Sequence, residues 1–178
     1  MSPTATGKLK PPVGANDHVQ GPADAPVTLV EYGDYECPYC GEAYPVVKAL
    51  QKRLGGQLRF AFRNFPLSQA HPHAEHAAEA AEAAGAQGKF WQMHDMLYEN
   101  QDALDPEDLV RCAQALRLDV PRFAREIAKH LYAERVREDF SSGVRSGVNG
   151  TPTFFINGVR HDGPFDLGSL LAAIEEAA

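Results

Sequence analysis

Two cysteines separated by two residues form the most reactive motif of the chain, Cys37-Pro38-Tyr39-Cys40. The motif lies where a predicted strand ends and a predicted helix begins. Side chains three residues apart at a helix N-terminus can approach closely enough to form a disulfide. The unpaired amides and the dipole of that helix would stabilise a thiolate on Cys37. The motif therefore indicates reversible thiol–disulfide chemistry, with Cys37 as nucleophile and Cys40 as the better covered resolving thiol.

Zinc sites also use pairs of cysteines at this spacing, but a tetrahedral structural site needs four ligands. The third cysteine, Cys112, stands alone in a predicted helix and is expected to be a small buried hydrophobe. His71, His73 and His76 are further candidate ligands. Because no carboxylate pattern completes a recognised site around them, capping and surface roles are predicted for these histidines. No metal site is predicted.

Composition restricts the class of protein. The 178 residues suffice for one domain, and the net charge of −7 argues against nucleic acid or anionic membranes as partners. No apolar run approaches the roughly 18 residues of a membrane span, so no membrane insertion is predicted. Residues 1–17 are predicted to form a flexible arm without the apolar segment of a signal peptide. A cytoplasmic location is favoured, although an exported mature form also fits the sequence.

The elements that must position the cysteines follow from apolar periodicity. Residues 27–32 predict a buried strand, residues 37–54 a helix kinked at Pro45, and residues 58–63 a second strand parallel to the first. Residues 67–143 carry helical patterning only. Asp105 and Asp119, each followed by a proline, mark helix starts within this segment.

The C-terminal part returns to strands. Residues 151–156 and 159–161 flank Asn157-Gly158, which is a strong β-hairpin signal, and a closing helix follows from Leu167. The sequence thus predicts an α/β fold made of a βαβ half and a ββα half. Residues 18–66 and 144–178 form its main domain, and residues 67–143 form an inserted α-helical subdomain.

Several motifs together resemble the DsbA family of thioredoxin-like proteins: Val-Glu-Tyr at 30–32, the cysteine motif, the helical segment 71–91 and the segment 150–158. The resemblance spans residues 21–173 and is particularly close to the DsbA-like domain fused to some sodium/proton antiporters. It implies a thioredoxin-like fold and a thiol–disulfide oxidoreductase that acts on cysteine-containing proteins. It implies no cofactor beyond a redox-active Cys37–Cys40 disulfide.

The resemblance also assigns roles to individual residues. Pro152 is expected to be a cis-proline, and the backbone of Thr151 is expected to pair with an extended substrate segment. Glu31 matches a buried acid that transfers a proton to or from the resolving thiol. Pro38 and Tyr39 are expected to tune the thiolate and contact the substrate.

Other functions remain open at this level. The segment 27–47 contains four acidic residues and no basic residue, which disfavours a thiolate and predicts an intermediate reduction potential. One alternative is a glutaredoxin-like, glutathione-dependent reductase, since Pro-Tyr between cysteines also occurs in glutaredoxins. Another is a non-catalytic peptide-binding or chaperone-like module with a structural disulfide. The redox partner and the direction of electron flow are undetermined, and a monomer is favoured.

Overall fold

A computed structural model describes residues 7–178 of the chain, and its elements follow the predicted order. These residues form β1 (His18–Gln20), β2 (Val27–Gly33), α1 (Pro38–Leu54), a 3-10 turn (Gly55–Gln57), β3 (Leu58–Asn64), α2 (Ala74–Ala86), α3 (Phe90–Glu99), α4 (Pro106–Ala115), α5 (Val120–Ala128), α6 (Ala133–Arg145), β4 (Thr153–Ile156), β5 (Val159–His161) and α7 (Leu167–Ala177). The predicted α/β class is confirmed, with five helices between the β2–α1–β3 and β4–β5–α7 halves.

The five strands form one sheet in the order β1-β3-β2-β4-β5. The pairs β1–β3, β2–β4 and β4–β5 are antiparallel, whereas the neighbours β2 and β3 are joined through α1. β2 is the central strand, and six of its seven residues are buried. This burial explains its nearly continuous apolar sequence, because a central strand covered on both faces has no solvent side.

The predicted hairpin joins β4 to β5. Asn157 and Gly158 have φ angles of 48° and 82°, and Ile156 pairs with Val159 across the turn. Positive φ at both central residues is the requirement of a type I′ turn, which asparagine and glycine satisfy at little cost. The Asn157-Gly158 prediction is confirmed.

The chain divides into two compact units. The first comprises the described residues up to Gly33, together with Glu42–Arg63 and Ser141–Ala178, and it contains nearly all of the sheet. The second comprises Asp34–Gly41 and Asn64–Phe140. Within it, the alanines of α2 are buried except the last, Ala86, and α2 contacts α3, α4 and α5. Residues 34–41, which carry the cysteine pair, thus group with the helices.

Residues 7–17 differ from the expected flexible arm, of which residues 1–6 lie outside the described part of the chain. Leu9 is buried, and its amide donates to the carbonyl of Gly158 at 2.9 Å. The Arg63 guanidinium binds the Asp17 carboxylate at 2.7 Å and donates to the carbonyl of Pro11. Proline-rich composition predicted flexibility, but these long-range hydrogen bonds fasten the segment to the first unit.

Helices α4 and α5 each begin after an aspartate residue, and α1 contains a proline in its interior. Asp119 precedes α5 and accepts a hydrogen bond from the amide of Arg122 at 3.1 Å, as expected of an N-cap. Asp105 occupies the same position before α4, whose first residue is Pro106. α1 includes Pro45 in its interior, and its residues remain helical on both sides of that proline.

Candidate active site

The cysteine pair lies at the start of α1. After β2 ends, a turn brings the amide of Cys37 to the carbonyl oxygen of Asp34 at 3.1 Å. The amide of Gly41 donates to the carbonyl of Cys37, also at 3.1 Å. Cys37 therefore directly precedes the first helical residue, where unpaired amides and the helix dipole favour an anion. Cys37 is 3% exposed, and Cys40 is completely buried.

The two residues between the cysteines lie on the surface. Pro38 is exposed, and Tyr39 is among the most exposed large hydrophobic residues of the described part of the chain, at 62%. An exposed aromatic side chain supplies a large contact area for an incoming protein. Pro38 is the first residue of α1, a position that its fixed φ favours.

Asp34 organises the backbone around Cys37. Its carboxylate is fully buried, and Oδ1 accepts the amides of Glu36 at 2.8 Å and Cys37 at 3.2 Å. Its second oxygen, Oδ2, accepts the amide of Leu67 at 2.9 Å and lies 2.8 Å from Nδ1 of His71. One buried anion thus fixes the turn before α1 and joins it to the segment after β3.

The His71 side chain interacts electrostatically with Asp34, Cys37 and Glu36. Burial alone would lower the pKa of His71, but the hydrogen bond to Asp34 and the charges of Asp34, Cys37 and Glu36 together raise it above its usual value. The upward shift favours the imidazolium, whose positive charge attracts a thiolate on Cys37. The acidic stretch 27–47 does not reveal this cation, because it comes from a distant part of the chain.

Gln101, two residues after the end of α3, holds the same turn. Its side-chain amide donates to the carbonyls of Tyr35 at 3.0 Å and Cys37 at 2.9 Å. A Cβ atom added at Gly41 would lie 2.1 Å from Oε1 of Gln101. Gly41 therefore leaves space for the glutamine that fixes the Cys37 carbonyl.

Three other predicted site residues lie in the sheet unit. Glu31 is in β2 and only 2% exposed, and it pairs with Phe154 across β2 and β4. The Thr151–Pro152 peptide bond is cis and immediately precedes β4, whose first residue, Thr153, pairs with Tyr32. Both Thr151 and Pro152 are partly exposed. The ends of β2 and β4 thus bring Glu31 and the proline to the same edge of the sheet.

Cys112, His71 and His73 are further candidate residues of the sequence, and they lie outside the cysteine motif. Cys112 is buried in α4, where burial and the charge of Asp108 raise the pKa of its thiol. The capping role expected of His71 and His73 needs correction. His71 binds Asp34, and the His73 side chain makes no capping bond although it precedes α2. The backbone amide of His73 instead donates to the Glu36 carboxylate at 2.6 Å.

Asp34, His71 and Gln101 are thus the functional candidates that sequence reasoning missed or misassigned. Asp34 and His71 are 37 residues apart, and Cys37 and Gln101 are 64 residues apart. The one usable signal was Pro72 beside His71, which marks a constrained turn next to a titratable side chain. Within residues 7–178, no helix combines the length and apolar character that crossing a membrane requires.

Comparison with known proteins places this geometry in a family. The family model described as thioredoxin matches residues 14–176. A Na(+)/H(+) antiporter NhaA 3 of Salinispora tropica is 50% identical over 161 residues, which cover 90% of this chain and 24% of that protein. An antiporter NhaA 1 of Mycobacterium sp. (strain KMS) is 42% identical over 97% of this chain and 28% of its own length. The chain spans about a quarter of these curated relatives.

Solved structures resemble nearly all of the chain. BdbD of Bacillus subtilis in its oxidised form matches with a TM-score of 0.85 and 26% identity, covering 97% of this chain and 96% of that one. A thioredoxin-like oxidoreductase of Silicibacter pomeroyi matches at 0.81 and 27% identity, over 92% and 93%. Wolbachia pipientis alpha-DsbA1, at 22% identity, shares the fold with a TM-score of 0.81 over 93% and 92%. The chain therefore belongs to the thioredoxin family and has the DsbA-like form of its fold.

Proposed function

We propose that the protein is a thiol–disulfide oxidoreductase that exchanges disulfides with cysteine-containing proteins through Cys37 and Cys40. The observation that carries this proposal is the position of Cys37, which directly precedes α1 and has its amide and carbonyl held by Asp34 and Gln101. A thiol held at a helix N-terminus is available as a thiolate, the form that attacks disulfides. The oxidoreductase named among the similar structures supports the same chemistry.

In the reducing direction, the Cys37 thiolate attacks one sulfur of a substrate disulfide. A bond forms between Cys37 and that sulfur, the substrate disulfide breaks, and the other substrate sulfur leaves as a thiolate that takes a proton from water. Cys40 then loses its proton and attacks the Cys37 sulfur. The second substrate sulfur leaves, and the protein retains a Cys37–Cys40 disulfide. Two electrons pass to the substrate, and the reverse sequence oxidises a substrate dithiol.

The other family residues have roles within this proposal. Glu31 accepts the proton of Cys40 as it attacks, and returns it in the reverse direction. The backbone of Thr151, turned by Pro152, pairs with an extended segment of the substrate. Tyr39, exposed between the cysteines, contacts the incoming protein. The two cysteines supply the redox chemistry, and the proposal includes no further cofactor.

Charges around Cys37 favour an intermediate reduction potential. The Asp34 carboxylate and the neighbouring Glu36 disfavour a thiolate, whereas His71 and the helix dipole favour it. Because a stabilised thiolate stabilises the reduced form, these opposing charges leave the potential between the oxidising and reducing extremes of the superfamily. A pKa of the Cys37 thiol near 3.5, as in the most oxidising members, would contradict this proposal.

The test is turnover of protein disulfides compared with mixed disulfides of glutathione. We expect the wild-type protein to act on protein disulfides in preference to glutathione mixed disulfides, and Cys37→Ala to lose both activities. Preferred turnover of glutathione substrates would instead support a glutaredoxin-like reductase. A potential below about −300 mV together with no exchange would support a structural disulfide in a peptide-binding module.

A further inference from the structure

Three potential metal ligands meet in the second unit, away from the residues assigned to disulfide exchange. His76 and Glu79 lie three residues apart on α2, which places them on one face of that helix. His130 comes from the connection between α5 and α6. One ligand atom from each of these residues lies within 4.8 Å of the others. In the sequence, His76 lies close to His71 and His73, whereas His130 is more than fifty residues away. The sequence therefore gives no sign that His76 and His130 meet.

The spacing of the three groups approaches that of a metal site. Nδ1 of His130 lies 3.1 Å from Oε1 of Glu79 and 3.4 Å from Oε2. Ligand bonds of about 2.0–2.1 Å in a tetrahedral zinc site place neighbouring ligand atoms roughly 3.3 Å apart. The distance between the Glu79 carboxylate and Nδ1 of His130 therefore already matches the distance between neighbouring ligand atoms of a zinc site. The His76 ring stacks on His130 at a centroid distance of 5.8 Å, and a ligand atom of His76 lies within 4.8 Å of those of Glu79 and His130.

Burial distinguishes this cluster from an ordinary surface ion pair. The Glu79 side chain is only 1% exposed, whereas His130 is 57% exposed and His76 is partly exposed. A buried carboxylate is costly unless a positive charge or a metal compensates it. His130 also has a φ of 52°, in the left-handed region that a residue with a Cβ atom rarely adopts. The buried Glu79 carboxylate thus has an exposed and a partly exposed imidazole beside it.

The donor set selects the class of ion. Two imidazoles and one carboxylate form the ligand set of several zinc enzymes, and imidazole disfavours calcium and magnesium. Three protein ligands leave one tetrahedral position for water or a small ligand. Both histidines also line a cavity of about 310 Å³ whose other walls are apolar, including Leu109, Phe123 and Ile127. The fourth position would therefore adjoin an apolar cavity.

We propose that His76, Glu79 and His130 bind a zinc-class divalent cation and link α2 to the connection between α5 and α6. This proposal does not rest on disulfide exchange by Cys37 and Cys40. A zinc ion bound here would hold together elements of the helical unit, and its loss would loosen them.

The test is zinc binding to the oxidised protein, in which a Cys37–Cys40 disulfide keeps the thiols from competing for the ion. We expect one equivalent of Zn²⁺ to bind in calorimetry and to raise the melting temperature. His76→Gln and His130→Asn should each weaken binding at least tenfold. Asparagine tolerates the positive φ of position 130, so the second variant should fold. His161→Gln, which alters a histidine outside the cluster, is the matched control and should bind as the wild type does.

Cobalt substitution identifies the ligands independently. Co²⁺ in this site should show visible d–d absorption without a sulfur-to-cobalt charge-transfer band, and His130→Asn should abolish that absorption. The proposal is overturned if the oxidised wild type binds no zinc at about 0.1 mM. It is also overturned if His130→Asn binds as tightly as the wild type, or if the cobalt spectrum reports thiolate ligands.

Discussion

Asp34 and His71 form an ion pair of 2.8 Å, and the same buried carboxylate accepts the amide of Cys37. The pair therefore connects the electrostatics of the cysteine motif to His71, which lies 37 residues after Asp34 in the sequence. The side chain of Asp34 is fully buried, and that of His71 is 19% exposed. Protonation of His71 can thus respond to solution pH while Asp34 remains enclosed.

Replacing His71 by glutamine tests its charge. Glutamine can still donate a hydrogen bond to Asp34 but carries no charge, so we expect the pKa of the Cys37 thiol to rise by about half to one unit. The reduction potential should become more negative by roughly 15–30 mV, because the reduced form loses stabilisation. Thiolate absorbance measured against pH and equilibration with glutathione check the two values.

The matched control for that variant is His73→Gln, since His73 lies two residues away and makes no bond to Asp34. The Cys37 thiol of this variant should titrate as that of the wild type does. Asp34 raises the pKa of His71 in the folded protein. The contribution of the protonated His71 to the free energy of unfolding is therefore fully present below the pKa of histidine in the unfolded chain, about 6.5, and is lost as pH rises through the pKa of His71 in the folded protein. Identical thiolate titrations for His71→Gln and the wild type would contradict the proposed role.

Truncation of Asp34 should destabilise the protein. Asp34→Ala leaves three backbone amides and His71 without their common acceptor in a buried place, so we expect the free energy of unfolding to fall by about 3–5 kcal/mol. Urea denaturation measures this loss. Asp24→Ala removes an exposed carboxylate and should change stability by less than about 0.5 kcal/mol. Equal small effects of the two variants would show that Asp34 does not organise the turn.

A second buried carboxylate predicts a pH dependence of stability. Burial raises the pKa of Asp139 to about 6 despite the opposing charge of Arg135. The folded protein therefore binds this proton more tightly than the unfolded chain does, and stability falls as pH rises from about 4 to 6. A shift of about two units corresponds to roughly 3 kcal/mol.

Asp139→Asn removes that titration. We expect the variant to gain stability relative to the wild type by up to about 3 kcal/mol between pH 4 and pH 7, measured by urea denaturation at both values. Glu138→Gln, at an exposed neighbouring position, should follow the wild type at both pH values. If the difference between Asp139→Asn and the wild type does not change with pH, the carboxyl group titrates equally in the folded and unfolded chains.

Local patterns predicted most of the fold. The strand before Cys37, the Asn157-Gly158 hairpin and the Asp119 cap all depend on neighbours within a few residues. β1 has only three residues, so no alternating pattern marks it. The ordered segment around Leu9 escaped prediction because prolines suppress regular structure without preventing contacts with distant partners.

The sequence likewise predicted the local features of the candidate site but not the contacts between distant residues. The spacing of Cys37 and Cys40 identifies them as a redox motif. Their electrostatic environment, however, depends on contacts between distant parts of the chain, which the sequence does not reveal. His71 appeared to be a cap, but its partner is Asp34. His130 had no visible role, yet it meets Glu79 across the helical unit. Pairs separated by more than thirty residues require the tertiary structure, because no local periodicity links them.

Trapping of mixed disulfides is the most direct test of exchange through Cys37 and Cys40. Cys40→Ala cannot resolve the intermediate, so it should accumulate a reductant-sensitive adduct with a disulfide-containing protein, attached through Cys37. Cys37→Ala should form no such adduct, and Cys112→Ala should turn over as the wild type does. Full turnover in both Cys37→Ala and Cys40→Ala, or adducts attached only through Cys112, would contradict the proposed function.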